Sequence, residues 1–187
     1  MAAALLLLVL LTADARAQPS TAPAEDAFEK GRWHAEFVLQ SGLEAWNYNR
    51  SHEEVYGLVQ GVTYGIRDGL VVTARQRLYY VSQRANDSRV LGLSAGLRGR
   101  VYRRGRATAF LQVDFGFSDA AVAAPPGGTR FNYVALGGGG FTWRLNRRLT
   151  AIATLELIHI SNAGIAGPDR NPDIEAVGPS IGLLIGF

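Results

Sequence analysis

The chain has 187 residues and no cysteine, three histidines and a single lysine, Lys30. The lack of cysteine excludes a disulfide scaffold and any thiolate metal site. His34, His52 and His159 lie far apart in sequence and show no metal-ligand spacing. Basic charge is therefore almost wholly arginine, with a formal net charge of +3. The arginines occur singly or in short groups, without the clustered face that nucleic-acid binding calls for. Long apolar runs are also missing. No uninterrupted stretch reaches the roughly 20 residues that a membrane-spanning helix needs. Strong helical periodicity is hard to find anywhere.

The first feature that is present is a short apolar leader. Ala2 to Leu11 forms an apolar core, and "ADARAQ" follows, with Ala15 and Ala17 at the small-residue positions before a cut. This predicts a signal peptide over 1–17 and export of the remainder as one domain, 18–187. The basic residues that usually precede such a core are absent.

Glycine is abundant, at 22 residues, and the dominant hydrophobic period is two, which is the strand signal. In Trp33 to Ala45, the residues Trp33, Ala35, Phe37, Leu39 and Leu43 share one face, opposite His34, Glu36, Gln40 and Glu44. Similar alternation recurs over Tyr56 to Ile66, Leu70 to Gln83, Leu91 to Val101, Ala107 to Phe117 and Phe131 to Leu145. It returns over Leu149 to Ser161 and Glu175 to Phe187. The pattern predicts eight strands. "RDG", "RRGR" and "NRR" are short connections; 47–54, 84–89, 118–129 and 162–174 are longer ones. Short turns at one end and longer loops at the other describe an all-β, eight-stranded, antiparallel up-and-down barrel of the outer-membrane type. So narrow a barrel is filled by side chains and is not a pore.

Charge assigns the faces. One face is continuously apolar and aromatic, whereas the other carries Glu36, Arg75, Arg77, Arg98, Arg100, Asp114 and Glu156 among glycines. Mixed charges and small residues suit an ion-paired lumen, and the greasy face suits lipid. A soluble lipocalin-like barrel would reverse this arrangement. Trp33, Trp46, Tyr56, Tyr79, Tyr80, Tyr133 and Trp143 are candidates for interfacial girdles. "GGGG" at 137–140 is followed by no lysine and helix, so a bend or close approach is expected in place of a phosphate cradle. "SHEE" around His52 reads as a solvated charged loop, and Arg84, Arg89 and Arg130 as charge near the extracellular loops.

The stretch "LELIHISNAGI", Leu155 to Ile165, places His159 and Ser161 two residues apart in greasy sequence. By parity both point outward. The next strand begins beside the end of this one, so Glu175 falls on the same face and the same rim. With the N-terminus periplasmic, that rim is extracellular, level with the leaflet that holds lipopolysaccharide. A serine, a histidine and a carboxylate together suit acyl transfer. Ser161 is the nucleophile, His159 the general base, and Glu175 orients the imidazole. Asn162, or the backbone of the "NAG" turn that includes Gly164, is the candidate oxyanion donor.

"HISNAGI" followed by "NPDIE" resembles the signature of the PagL-type lipid A 3-O-deacylases, outer-membrane eight-stranded barrels. The resemblance is specific over His159 to Ile165 and over Asp173 to Glu175; elsewhere only the general pattern agrees. It implies a catalytic triad of His159, Ser161 and Glu175, with Asn162 near the oxyanion. It also implies hydrolysis of the ester-linked 3-O-acyl chain of lipid A without cofactor or metal. The loop before Glu175 leaves Asp173 as a second candidate for the acid, although strand parity favours Glu175. The expected partners are lipopolysaccharide as substrate and outer-membrane lipids, with no nucleic acid; monomer and homodimer are both open. Two other functions compete: a structural or adhesive barrel without activity, and an esterase or phospholipase acting on other membrane lipids.

Overall fold

The structure, a computed structural model, describes residues 26–46 and 52–187. The expected signal peptide lies outside the described residues. Eight strands form one closed barrel in which each pairs with its sequence neighbour and the last with the first. They are β1 (Trp33–Glu44), β2 (Glu54–Arg67), β3 (Leu70–Ser82), β4 (Ser88–Arg104), β5 (Ala107–Ala120), β6 (Phe131–Arg144), β7 (Leu149–Ser161) and β8 (Ile174–Gly186). All neighbouring pairs are antiparallel, including β1 with β8. The β3–β4 connection is shorter than the sequence pattern suggested, because pairing extends to Val81 opposite Ser88.

Alternation holds around the barrel, turned inside out relative to a water-soluble protein. Leu39, Leu58, Leu78, Leu93, Phe115, Leu155 and Ile181 are exposed on the outer face, one from each of seven strands. A surface of that kind calls for hydrocarbon, where backbone groups must all be paired and a sheet is tolerated only if it closes. Inward residues are polar and buried. Arg75 bridges two carboxylates, donating through Nε to Glu36 Oε2 at 3.0 Å and through Nη1 to Asp114 Oδ2. Arg98 Nη2 also reaches Glu36, at 2.6 Å. Gln112 and Gln40 extend the network to the two oxygens of Glu156, at 2.5 and 2.6 Å. Arg77 donates to Ser94 and Gln40, each at 3.1 Å. Isolated buried charges would cost several kcal/mol each; here arginines and carboxylates interleave along the lumen.

Two sequence expectations need correction. Tyr79 is no girdle residue. It is buried inside the barrel, where its hydroxyl donates to Gln40 Oε1 at 2.6 Å and accepts from Arg77. Its parity already placed it inward, and the adjacent Tyr80 takes the outer position. Nor is "SHEE" wholly solvated: Glu53 is fully buried, with its N–H donating to Glu44 Oε2 at 3.2 Å. Trp33, Trp46, Tyr56, Tyr80, Tyr133 and Trp143 are exposed, as a girdle requires. In "GGGG" the close approach is explicit. A Cβ on Gly138 would lie 2.2 Å from the Leu155 carbonyl oxygen, and one on Gly140 2.1 Å from that of Ala153.

A plug was not legible in the sequence. The segment before β1 crosses the end of the barrel that carries the short turns. Phe28 is buried there against Phe110, with ring centroids 5.9 Å apart. Its carbonyl accepts from Gly69 N at 2.8 Å, and Gly31 N donates to Gly65 O at 2.7 Å.

The lumen network gives a stability prediction. Glu36→Leu strands Arg75 and Arg98 and should cost about 3–5 kcal/mol, the usual loss when one partner of a buried pair is removed. Denaturant unfolding of the detergent-folded barrel, followed by tryptophan fluorescence, measures it; an unchanged midpoint would show that the network does not support the fold.

Candidate active site

Register carries the three candidate residues to one place. His159 lies directly opposite Glu175 in the β7–β8 pair, and Ser161 follows two residues later on the same face. His159 Nε2 is 3.0 Å from Ser161 Oγ. On the other side of the ring, Nδ1 is 3.6 Å from Glu175 Oε1 and 4.0 Å from Asp173 Oδ2. Both acids therefore face the same nitrogen, Glu175 the closer. Contacts of this length are common in catalytic groups before substrate binds, and tighten in the complex. The orientation is the one needed for base catalysis. A ring whose Nδ1–H points at a carboxylate presents a lone pair at Nε2, directed at the hydroxyl.

His159 and Glu175 are about one-third exposed, at 37 % and 36 % of their side-chain surface. Ser161 is buried at 6 % although it is on the outer face, at the point where β7 passes into the β7–β8 loop. Asn162 organises that loop. Its Nδ2 donates to the Arg170 carbonyl, and its Oδ1 accepts from Gly164 N at 2.9 Å. Ala163 and Gly164 both take positive φ, 53° and 76°, which reverses the chain directly after the serine. The two candidate oxyanion donors are thus bonded to one another, and Asn162 Nδ2 retains a second hydrogen for another acceptor.

The surroundings are apolar. Tyr133 is the β6 partner of Ser161. It packs edge-on against Phe131 at 5.8 Å, and Phe131 stacks on Phe117 at 6.2 Å. Below His159 the outer wall continues through the exposed Leu157 and Leu155. On β6 it continues through Ala135 and Gly137, and a Cβ at Gly137 would meet nothing within 4 Å. An acyl chain could lie along this wall.

The chain matches no protein-family model and no curated protein sequence. Among solved structures it is similar to the outer membrane protein OprG from Pseudomonas aeruginosa, with a TM-score of 0.56 at 11% identity, covering 85% of this chain and 97% of that one. The N-terminal β-barrel domain of Pseudomonas aeruginosa OprF gives 0.54 at 12%, covering 84% and 98%. The outer membrane enzyme PagL gives 0.55 at 14%, covering 80% and 97%. The chain has the eight-stranded fold of the outer-membrane β-barrels. At such identities the likeness is one of fold, shared by different outer-membrane barrels, and it does not choose among activities.

Short turns mark the periplasmic end of such a barrel and long loops the extracellular end. The three candidate residues sit at the long-loop end. Of the extracellular arginines, Arg130 is committed to the rim, through Nε to the Ala120 carbonyl at 2.6 Å and Nη2 to Asp119 at 3.3 Å. Nearby in the β3–β4 loop, the Tyr80 hydroxyl and the Gln83 N–H both donate to Asp87 and hold its carboxyl below the usual range. His34 is buried in the lumen and His52 lies in the first loop, so neither joins the site. His159, Asp173 and Glu175 offer ligand atoms within 4.8 Å of one another, a set able to hold a divalent cation. Sequence spacing had not suggested it, since the set joins β7, the loop after it and β8.

A covalent probe tests the serine without presupposing a substrate. A long-chain fluorophosphonate should label Ser161 in the folded barrel, leave Ser161→Ala unlabelled, and react about 10⁴-fold more slowly with His159→Ala. Labelling of another residue, read by peptide mass spectrometry, would remove Ser161 from the nucleophile role.

Proposed function

We propose that this chain is an outer-membrane serine esterase that removes the ester-linked 3-O-acyl chain of lipid A. The observation that carries the proposal is the 3.0 Å contact from His159 Nε2 to Ser161 Oγ, with Glu175 behind the ring, on the outer wall at the extracellular rim. A structural barrel has no need of three such groups on one lipid-facing edge. The likeness of "HISNAGI" and "NPDIE" to the PagL-type deacylases supplies the substrate class.

The chemistry follows from the geometry. Ser161 Oγ attacks the acyl carbonyl and its proton passes to His159 Nε2, while Glu175 stabilises the imidazolium through Nδ1–H. The second N–H of Asn162 Nδ2 serves the developing oxyanion. Collapse expels the sugar 3-oxygen, which takes the proton from Nε2 and leaves an acyl ester on Ser161. Water, deprotonated by the same histidine, then releases a 3-hydroxy fatty acid and restores the serine. No redox or metal step is required. The substrate reaches the site laterally, because both the nucleophile and the ester lie at the edge of the outer leaflet.

Mass spectrometry of lipid A from outer membranes containing wild type or Ser161→Ala tests this reading. Loss of one 3-hydroxyacyl group with wild type alone is expected, and Ser161→Ala should lower the rate by about 10⁴–10⁶. Unchanged lipid A with both would sink the proposal, and accumulation of lysophospholipid with wild type alone would transfer the activity to phospholipid esters. The acid role is separable in the same assay. Glu175→Gln should cost up to about 10⁴-fold, and Asp173→Asn far less; the opposite order would make Asp173 the orienting acid.

A further inference from the structure

Charge is divided unevenly between the two ends of the barrel. The periplasmic end is crowded with arginine. Arg67 closes β2, Arg103, Arg104 and Arg106 surround the β4–β5 turn, and Arg147 and Arg148 form the β6–β7 turn, all of them exposed. The acidic residues described at this end are already engaged. Asp26 holds Arg100 and Arg103, each at 3.0 Å. Glu29 lies 3.7 Å from Arg32, and Asp68 accepts the Lys30 N–H at 3.0 Å. Among the described residues, no carboxylate lies within ion-pair distance of Arg67, Arg104, Arg106 or Arg148. The extracellular end is the reverse, with Glu54, Asp87, Asp119, Asp169, Asp173 and Glu175 outnumbering its arginines.

The height of these arginines is informative. They lie just beyond an aromatic belt. Arg32 precedes Trp33, which packs on Tyr64 at 4.7 Å; Tyr102 precedes Arg103 and Arg104; Trp143 comes shortly before Arg147. Belt tryptophans and tyrosines sit at headgroup level. A residue or two further along a strand, at roughly 3.3 Å each, is phosphate level. The arginines also surround the barrel, because every periplasmic turn contributes, so they face an annulus and not one side.

We infer that the periplasmic rim is a binding ring for anionic phospholipid headgroups of the inner leaflet, phosphodiester-bearing lipids such as phosphatidylglycerol. Guanidinium groups pair with phosphate in a two-pronged geometry. The ring would hold the barrel at a fixed depth, and the outer rim, where acid outweighs base, would not compete for the same lipids. This inference is independent of the triad and of any enzymatic activity.

The test uses the full chain reconstituted in vesicles of phosphatidylcholine doped with spin-labelled phosphatidylglycerol or spin-labelled phosphatidylcholine. Electron paramagnetic resonance gives the fraction of each label immobilised at the barrel surface. Wild type should prefer phosphatidylglycerol about fivefold, the equivalent of one arginine at about 1 kcal/mol near a charged surface, and salt should weaken the preference. The Arg67→Gln/Arg104→Gln/Arg106→Gln/Arg148→Gln variant should lose it while remaining folded by circular dichroism. If that variant does not fold, Arg104→Gln/Arg106→Gln alone, at the exposed turn, should at least halve it. Arg84→Gln/Arg89→Gln at the other end should leave it intact. Equal immobilisation of the two lipids by wild type, or an equal loss from the extracellular variant, would overturn the inference. So would a preference abolished by soluble polyphosphate at constant ionic strength, which would assign the rim to a periplasmic polyanion.

Discussion

Backbone hydrogen bonding in hydrocarbon is the constraint on which everything else rests. A strand that faces lipid has no water to satisfy its N–H and C=O groups, so the sheet must close on itself. Closure is seen in the β1–β8 pairing, with Ala35 opposite Ile185 and Leu39 opposite Ile181. An even number of antiparallel strands then brings the start of β1 and the end of β8 to the same side of the barrel. Strand alternation does the rest: one set of side chains must accept lipid, and the other must fill a narrow tube. The lumen is filled by Arg75, Arg77 and Arg98 among Glu36, Asp114 and Glu156, with amide side chains between them.

The same alternation positions the candidate chemistry. On β7 the even-numbered Ile152, Ile158 and Ile160 are buried, and the odd-numbered Leu155 and Leu157 are exposed. His159 and Ser161 inherit the outer parity. A slip of one residue in the β7–β8 register would break the His159–Glu175 pairing and turn Glu175 inward. The juxtaposition of His159, Ser161 and Glu175 is therefore a property of two neighbouring strands and does not depend on a cavity. That leaves His159 and Glu175 accessible from the side of the barrel. The loop after Ser161 adds what strands cannot. It turns the chain through two positive-φ residues directly after the serine, and Asn162 pins it to Arg170.

The barrel also has two chemically different ends. The periplasmic mouth is closed by the Phe28 segment and ringed by arginine, whereas the extracellular rim carries the candidate active site and most of the surface carboxylates. The two rims therefore differ in charge as well as in the length of the connections they carry.

Much of this was legible in the chain alone. Period-two patterning, turn chemistry and the greasy second face determined the barrel, its strand count and which residues face lipid, because side-chain direction in a strand is a matter of counting. Counting also placed His159, Ser161 and Glu175 on one edge, and it would have placed Tyr79 inside had parity been preferred to residue type. Other features needed the folded chain. The distance from His159 to each acid, the burial of Glu53 and the bond between Asn162 and Gly164 depend on how loops settle over the rim. The plug depends on a contact between Phe28 and Phe110, distant in sequence and without a local signature. Local pattern determines direction, since the backbone repeats every two residues. Distance and burial belong to the tertiary structure, since they arise from segments that meet only after the sheet has closed.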